Sequence, residues 1–450
     1  MQKNSLLLPL IVFILFAAVF QGCKKDPVES DAVFSTYTKD YSSEVANTWS
    51  ELSLDLTKKT SGFVPPIASR AYGYLGITLY ESVVEGMPRY QTLSGKLSGY
   101  NRTVFADASK KYYYPACANA ALALMTKRMF ANASPENLIR IDALEQSYNE
   151  LYLEETSAEI LENSKTLGKA IAEEIYQWSV TDGGNEAYNN LMPSDYVIPQ
   201  GTGFWVPTPP AFDRPLLPYW GNKRTLVDNV VGYSQPKSHV SYSTLTNSEF
   251  HAQAMEVYTT VNNLATEQSD IAKYWADNPG ETATPGGHSW SILKQLLKSR
   301  NENLEFAAQA YAKMGIALSD AFVSCWKCKY HFNLMRPVTY IQENIDADWL
   351  PILGTPNFPE YSSGHSVQSG AMAVVLNNLF GSSYVFTDST HMNRTDINGT
   401  PRRFSSFDAA AKEAAISRLY GGIHYADAIV LGVEQGRKVG FKAITLGYLK

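Results

Sequence analysis

Residues 304–330 read LEFAAQAYAKMGIALSDAFVSCWKCKY, and this stretch decides the fold. Ala307, Ala310, Met314, Ala317, Ala321 and Cys325 recur at helical spacing and form a narrow stripe of small side chains. Such a stripe lets a second helix approach closely, so a helical bundle is expected around it. The same helix presents Trp326 and Lys329 near its C-terminal end.

Helix signals dominate on both sides of this segment. Val45 to Leu56 and Ile67 to Val83 carry apolar residues at helical spacing, and Pro65-Pro66 sits where prolines open a helix. Ser134-Pro135-Glu136 combines an N-cap, a first-turn proline and an acid suited to the helix dipole, and starts a helix toward Leu153. Thr156-x-x-Glu159 predicts a capping box for the next helix, which runs through Trp178 to Gly183-Gly184. Ser248 to Leu264, Ile271 to Trp275, His288 to Leu297, His365 to Leu379, Asp408 to Tyr420 and His424 to Tyr448 follow as further helices. Between Asn190 and Tyr242 the pattern breaks, with prolines at 193, 199, 207, 209, 210, 215, 218 and 236. Phe204, Trp205, Phe212, Tyr219 and Trp220 are too apolar to stay in water, so this is an ordered loop and not a linker. Strand-like alternation is nearly absent, and the fold class expected is all-α: a helical bundle with one long Pro-rich loop.

Three short segments in the last third carry the chemistry. Lys329 is followed by Arg336-Pro337, then comes Ser362-Ser363-Gly364-His365, then Ser417-Arg418 with Gly422-Ile423-His424. Two guanidinium forks and an ammonium suit a tetrahedral dianion such as phosphate or vanadate. Gly364 lets a backbone N–H come close to an oxyanion, and Ser363 and Gly364 fall at a helix N-terminus, where free N–H groups and the dipole favour an anion. Two histidines can then divide the work, one bonding the central atom and the other managing protons.

These segments resemble the vanadium-dependent haloperoxidases and the type 2 phosphatidic-acid-phosphatase superfamily that shares their pocket, whose signature is Lys-x6-Arg-Pro, Pro-Ser-Gly-His, and Ser-Arg-x5-His with a downstream Asp. Lys329, Arg336, Ser363, Gly364, Arg418 and His424 fall on the oxyanion-binding positions, and His365 on the acid–base position. Trp326 and Phe358 fall on two aromatic positions that line the haloperoxidase pocket, and the chain looks similar to bacterial iodoperoxidase-like members. The resemblance implies a core of two four-helix bundles, vanadate as cofactor with His424 as its sole protein ligand, and oxidation of a halide, iodide above all, by hydrogen peroxide. Vanadate on a histidine has the trigonal-bipyramidal shape of a phosphoryl group in transfer, so the same pocket could serve an acid phosphatase. There His424 would attack phosphorus and His365 would protonate the leaving alcohol. A non-catalytic, oxyanion-binding lipoprotein is the third reading. Two departures stand out: Ser362 replaces the usual proline, which would loosen the turn, and Asp427 lies three residues after His424 where the phosphatase pattern has four.

The N-terminus predicts the compartment. Lys3, an apolar run from Leu6 to Phe20 and then Gln21-Gly22-Cys23 read as a lipoprotein signal peptide over 1–22 with a lipobox, too short to span a bilayer. A lipidated tether over 23–44 and one helical domain over 45–450, with the motifs in 326–427, would follow. Lys24 and Lys25 in place of an aspartate resemble outer-membrane lipoproteins, so the cell envelope of a Gram-negative bacterium is expected, with membrane contact only through Cys23. A net charge of -6 without a basic cluster argues against nucleic acid.

The remaining candidates are weaker. Cys325-x2-Cys328-x2-His331 offers zinc three ligands and no fourth, so Cys117, Cys325 and Cys328 read as buried thiols or one local disulfide. His288 follows a glycine turn and reads as structural, while His239, His251, His331 and His391 show no metal spacing. Arg418, if buried, needs a counter-charge, and Asp270 and Asp277 are both candidates.

Overall fold

Periodic apolar sequence becomes helix almost throughout the computed structural model, which describes residues 36–450. Fourteen α-helices follow in order: α1 (Glu44–Lys59), α2 (Pro65–Val83), α3 (Tyr114–Met129), α4 (Pro135–Glu155), α5 (Ala158–Val180), α6 (Val230–Ser234), α7 (Glu249–Asn262), α8 (Thr266–Tyr274), α9 (Thr284–Ser299), α10 (Leu304–Phe332), α11 (Pro337–Asn344), α12 (Gly364–Phe380), α13 (Phe407–Tyr420) and α14 (Ala426–Ile444). One antiparallel pair, β1 (Phe386–Asp388) with β2 (Arg402–Phe404), is the only sheet among the described residues. None of the described helices is long and apolar enough to cross a membrane.

The central helix is α10. Asn303 caps it by accepting from the Phe306 N–H, and Asn333 ends it in a left-handed turn. Every residue of its small-residue stripe is fully buried. One face packs on α2, which also meets α3, α5 and α9, and another packs on α12 and α14, which also meet α13. The helical bundle expected from the sequence is therefore present, and α10 packs against both of its helical sets. Close approach also uses glycines outside the stripe: a methyl at Gly76 of α2 would collide with the Tyr311 carbonyl of α10, and one at Gly315 of α10 with the Tyr72 carbonyl of α2.

Local chemistry explains most helix starts, with some corrections. Ser134 caps α4 as predicted, but α5 is capped by Ser157, which accepts from the Ile160 N–H, while Thr156 closes the preceding helix. In the Pro-rich loop Trp205 and Trp220 are buried. Phe204 and Tyr219 are exposed, and Phe212, whose N–H closes a turn on Thr208 O, is 61% exposed. The packed body also starts earlier than residue 45, since Thr38 is buried and its hydroxyl donates to Val83 O at 2.8 Å. The signal sequence read over 1–22 and the lipid site at Cys23 lie outside the described residues.

Candidate active site

Four helix ends converge on one buried pocket. Lys329 lies in the last turn of α10, Arg336 is the N-cap of α11, Ser363 and Gly364 open α12, and Arg418 lies in the last turn of α13. His424 sits in the break between α13 and α14, after Gly422 turns the chain at φ 78°. Ser363 Oγ accepts from the Ser366 N–H, which fixes the start of α12.

Backbone carbonyls hold the three cations in place. Lys329 Nζ donates to Pro359 O (3.0 Å) and Glu360 O (2.9 Å), Arg336 donates from Nε to Phe358 O (2.9 Å) and from Nη1 to Ile423 O (2.8 Å), and Arg418 Nη1 donates to Trp275 O (2.8 Å). None of the three makes a salt bridge within the described residues. Burial above all pushes Lys329 down to about 8 and each guanidinium down to about 10. Arg336 Nη2 and Arg418 Nε are buried without a protein partner, so the pocket carries aimed, unsatisfied donors.

The histidines are neutral by environment. Burial, then the charges of Arg336, Lys329 and Arg418, holds His424 well below the usual range, and burial with Arg418 does the same to His365. His424 Nδ1 lies 2.7 Å from Glu360 Oε1, which also accepts the Tyr425 N–H at 2.9 Å. A carboxyl oxygen that accepts from a backbone N–H is the acceptor toward Nδ1 as well, so the proton is on Nδ1. The lone pair is therefore on Nε2, 3.2 Å from Arg336 Nη1. His365 Nε2 is buried without a partner.

The cavity above these groups has a volume of about 500 Å³, and Phe322, Trp326, Phe358, His365, Arg418 and His424 are on its wall. Trp326 is anchored through Nε1 to Leu216 O at 3.3 Å, so the Pro-rich loop forms part of the enclosure. The Trp326 and Phe358 ring centroids are 4.9 Å apart, and Arg336 lies 5.0 Å from the Phe358 centroid, which places aromatic faces against the cations. A methyl on Gly364 would meet Phe322 and Trp326 only at 3.8 Å, so the glycine keeps space open toward the cavity.

All the motif residues thus meet, and the structure bears on four further readings. Glu360 orients His424, whereas Asp427 accepts from the Val240 N–H and has no contact with that histidine. Glu360 is a lone acid in the stretch Phe358-Pro359-Glu360-Tyr361, a signal the sequence offers only once its partner is known. Ser362 does not loosen the turn, because its hydroxyl is bonded to Gln435 of α14. Asp277, not Asp270, supports the charge of Arg418; Asp270 accepts from Asn398 at the surface. Of the two readings of the cysteines, the buried thiols hold: Cys117, Cys325 and Cys328 are all buried and free, and His331 is exposed.

A helical fold closing on three buried cations and two neutral histidines defines an oxyanion-binding helical protein. Residues 309–447 match the family described as the VCPO second helical-bundle domain. A crystal structure of a bacterial vanadium-dependent iodoperoxidase is similar over 90% of this chain and 96% of that chain, with a TM-score of 0.81 and 34% sequence identity. The chain belongs to the vanadium-dependent haloperoxidase family. The fold is also shared with a holo-type bacterial vanadium-dependent chloroperoxidase, at a TM-score of 0.64 and 14% identity over 87% of this chain and 93% of that one. No curated protein matches the sequence.

Proposed function

We propose that this protein is a vanadate-dependent peroxidase that uses hydrogen peroxide to oxidise a halide, iodide first, to a hypohalous acid. The observation that carries this reading is the set of buried donors without protein partners, Arg336 Nη2 and Arg418 Nε, beside the Nε2 lone pair of His424. That donor set fits a tetrahedral oxyanion whose central atom accepts one nitrogen ligand. Lys329, Arg336, Ser363, Gly364 and Arg418 would hold the oxygens of vanadate, and His424 would ligate the vanadium. When bound, vanadate supplies the Lewis-acid activation of peroxide.

The chain's own residues do the rest. Glu360 keeps the proton of His424 on Nδ1, which leaves the Nε2 lone pair, now facing Arg336 Nη1, to act as a ligand. His365, neutral and with an unpartnered Nε2, accepts a proton from the incoming peroxide and returns it to the product side. Trp326 and Phe358 give the halide an apolar approach. Halide, peroxide and one proton become hypohalous acid and water, with the halide giving up two electrons. Iodide is favoured because it is the easiest of these halides to oxidise, and the 34% identity to an iodoperoxidase supports the same choice.

The Glu360–His424 pair also suits attack on phosphorus, which keeps a phosphatase acting through phosphohistidine as the second reading. One experiment separates the two: triiodide formation by metal-free protein with and without orthovanadate, beside hydrolysis of a chromogenic phosphate ester. Iodide oxidation that requires vanadate and is quenched by phosphate is expected. Ester cleavage without iodide oxidation would instead make His424 the nucleophile, and neither activity would leave an oxyanion-binding lipoprotein. For location we propose the envelope of a Gram-negative bacterium with a lipid on Cys23. Metabolic labelling with a palmitate analogue tests this, and label persisting in Cys23→Ser would overturn it.

A further inference from the structure

A second group of ligand-type side chains lies behind Arg418, outside the oxyanion pocket. Asp277, His288 and His391 are each 2% exposed, and one ligand atom from each lies within 4.8 Å of the others. They come from three separate segments: Asp277 follows α8 in a left-handed conformation (φ 49°), His288 is on α9, and His391 follows β1. His288 is held from both sides, with Nδ1 2.8 Å from Asp277 Oδ2 and Nε2 2.7 Å from Asp388 Oδ2. Asp388 is itself fixed by the Tyr274 hydroxyl (2.9 Å) and the Thr390 N–H (2.9 Å).

Beyond the hydrogen bonds of His288, two ligand-type atoms have only each other. Asp277 Oδ1 and His391 Nε2 are both buried and face each other at 3.2 Å, and neither has any other partner. Both residues border a cavity of about 340 Å³ together with Thr282 and Glu281. An imidazolium on His288 satisfies Asp277 Oδ2 and Asp388 Oδ2, and a proton between Asp277 Oδ1 and His391 Nε2 would serve the second pair. A cation fits the same spacing: two ligand atoms about 2.0–2.1 Å from a tetrahedral zinc ion are roughly 3.3 Å apart. Asp388 behind His288 then plays the carboxylate–histidine–metal role that fixes a ligating ring.

We propose that Asp277, His288 and His391 form a binding site for a divalent cation of the zinc or cobalt type, through Asp277 Oδ1, His288 Nδ1 and His391 Nε2, with the fourth position open to the adjoining cavity. Two imidazoles and one carboxylate suit such an ion better than calcium or magnesium, which prefer all-oxygen sets. Coordination releases the Nδ1 proton of His288 to solvent and takes its place beside Asp277. The two carboxylates outweigh burial and push His288 up to about 10, so protons compete with the metal there. Asp277 also borders the oxyanion pocket, so the two sites share one wall; the cation site does not depend on what occupies the other.

The test uses full-length protein without an affinity tag of histidines, stripped with a chelator and dialysed against zinc, with metal measured by mass spectrometry. About one retained equivalent is expected, and cobalt in its place should give the visible absorption of a low-coordinate ion. Less than roughly a tenth of an equivalent in the wild-type protein overturns the proposal. His391→Ala should weaken retention at least tenfold, and Asp388→Asn by roughly 10–100-fold. Circular dichroism checks that each variant folds. Binding undiminished in a folded His391→Ala places the ion elsewhere and also overturns the proposal.

Discussion

His424 Nδ1 lies 2.7 Å from Glu360 Oε1, across 64 residues of sequence, and the same oxygen accepts the Tyr425 N–H. Burial pushes the Glu360 carboxyl up to about 7 against the opposing pull of Arg336 and Lys329. Glu360→Gln keeps an acceptor oxygen for both N–H groups and removes the negative charge. A fall in vanadate affinity of roughly 10–100-fold is expected, read by titrating vanadate into metal-free protein. Wild-type affinity in the variant would show that the carboxylate does not tune its histidine.

His365 should leave a signature in stability against pH. Its folded-state pKa is depressed, while in the unfolded chain it takes a proton near 6.5. The unfolded state therefore binds more protons below pH 6.5, and the native state loses about 1.4 kcal/mol per pH unit from this group until the depressed value is reached. Urea unfolding of vanadate-free protein and of His365→Gln at pH 7.5, 6.5 and 5.5 isolates the effect. The wild type should lose stability relative to the variant only below pH 6.5, and a pH-independent difference would contradict a neutral buried ring.

Gly364→Ala separates fold from function. Its methyl would have no neighbour closer than 3.8 Å, and alanine restricts the unfolded chain more than glycine does. Stability should be unchanged or higher by about 0.4–1 kcal/mol. Vanadate affinity should fall roughly tenfold or more, because the methyl crowds the N–H that opens α12 and a hydrogen bond to a charged group is worth about 1.5–3 kcal/mol. Thermal melting and vanadate titration of one sample read both quantities.

Gly436→Ala should do the reverse. A methyl there would overlap the Val367 carbonyl across the α12–α14 contact, where its nearest neighbours are all α12 backbone atoms and no flexible side chain can yield. Destabilisation of about 1–3 kcal/mol or more is expected by chemical denaturation. Vanadate affinity, measured well below the unfolding midpoint, should change much less.

Much of this was legible in the linear chain for physical reasons. Apolar periodicity and caps such as Ser134 act within one or two turns, so α2, α4, α10 and α13 could be read nearly to their ends. Where two cap-forming residues are adjacent, as Thr156 and Ser157 are, local chemistry alone does not choose; α4 and α5 both pack on α3, and Ser157 is the cap in the folded chain. The exposure of Phe212 escaped because it depends on which way a loop turn points after its ends are tied to Asn333 and Asn357. Asp277 and Asp270 looked equivalent as partners for Arg418 until one was buried and the other was at the surface.

By itself the sequence determined that the chain is helical, and that an ammonium, two guanidiniums, two histidines and a glycine stand at helix ends, because helix propensity and spacing are short-range properties. Tertiary structure alone decided that those ends meet, that Glu360 rather than Asp427 sets the tautomer of His424, and that Asp277, His288 and His391 close a second cluster. The reason is that burial and charge pairing depend on distance in space. Glu360 and His424, or Asp277 and His391, acquire their chemistry only when helices far apart in the chain bring them within a hydrogen bond of each other and exclude water.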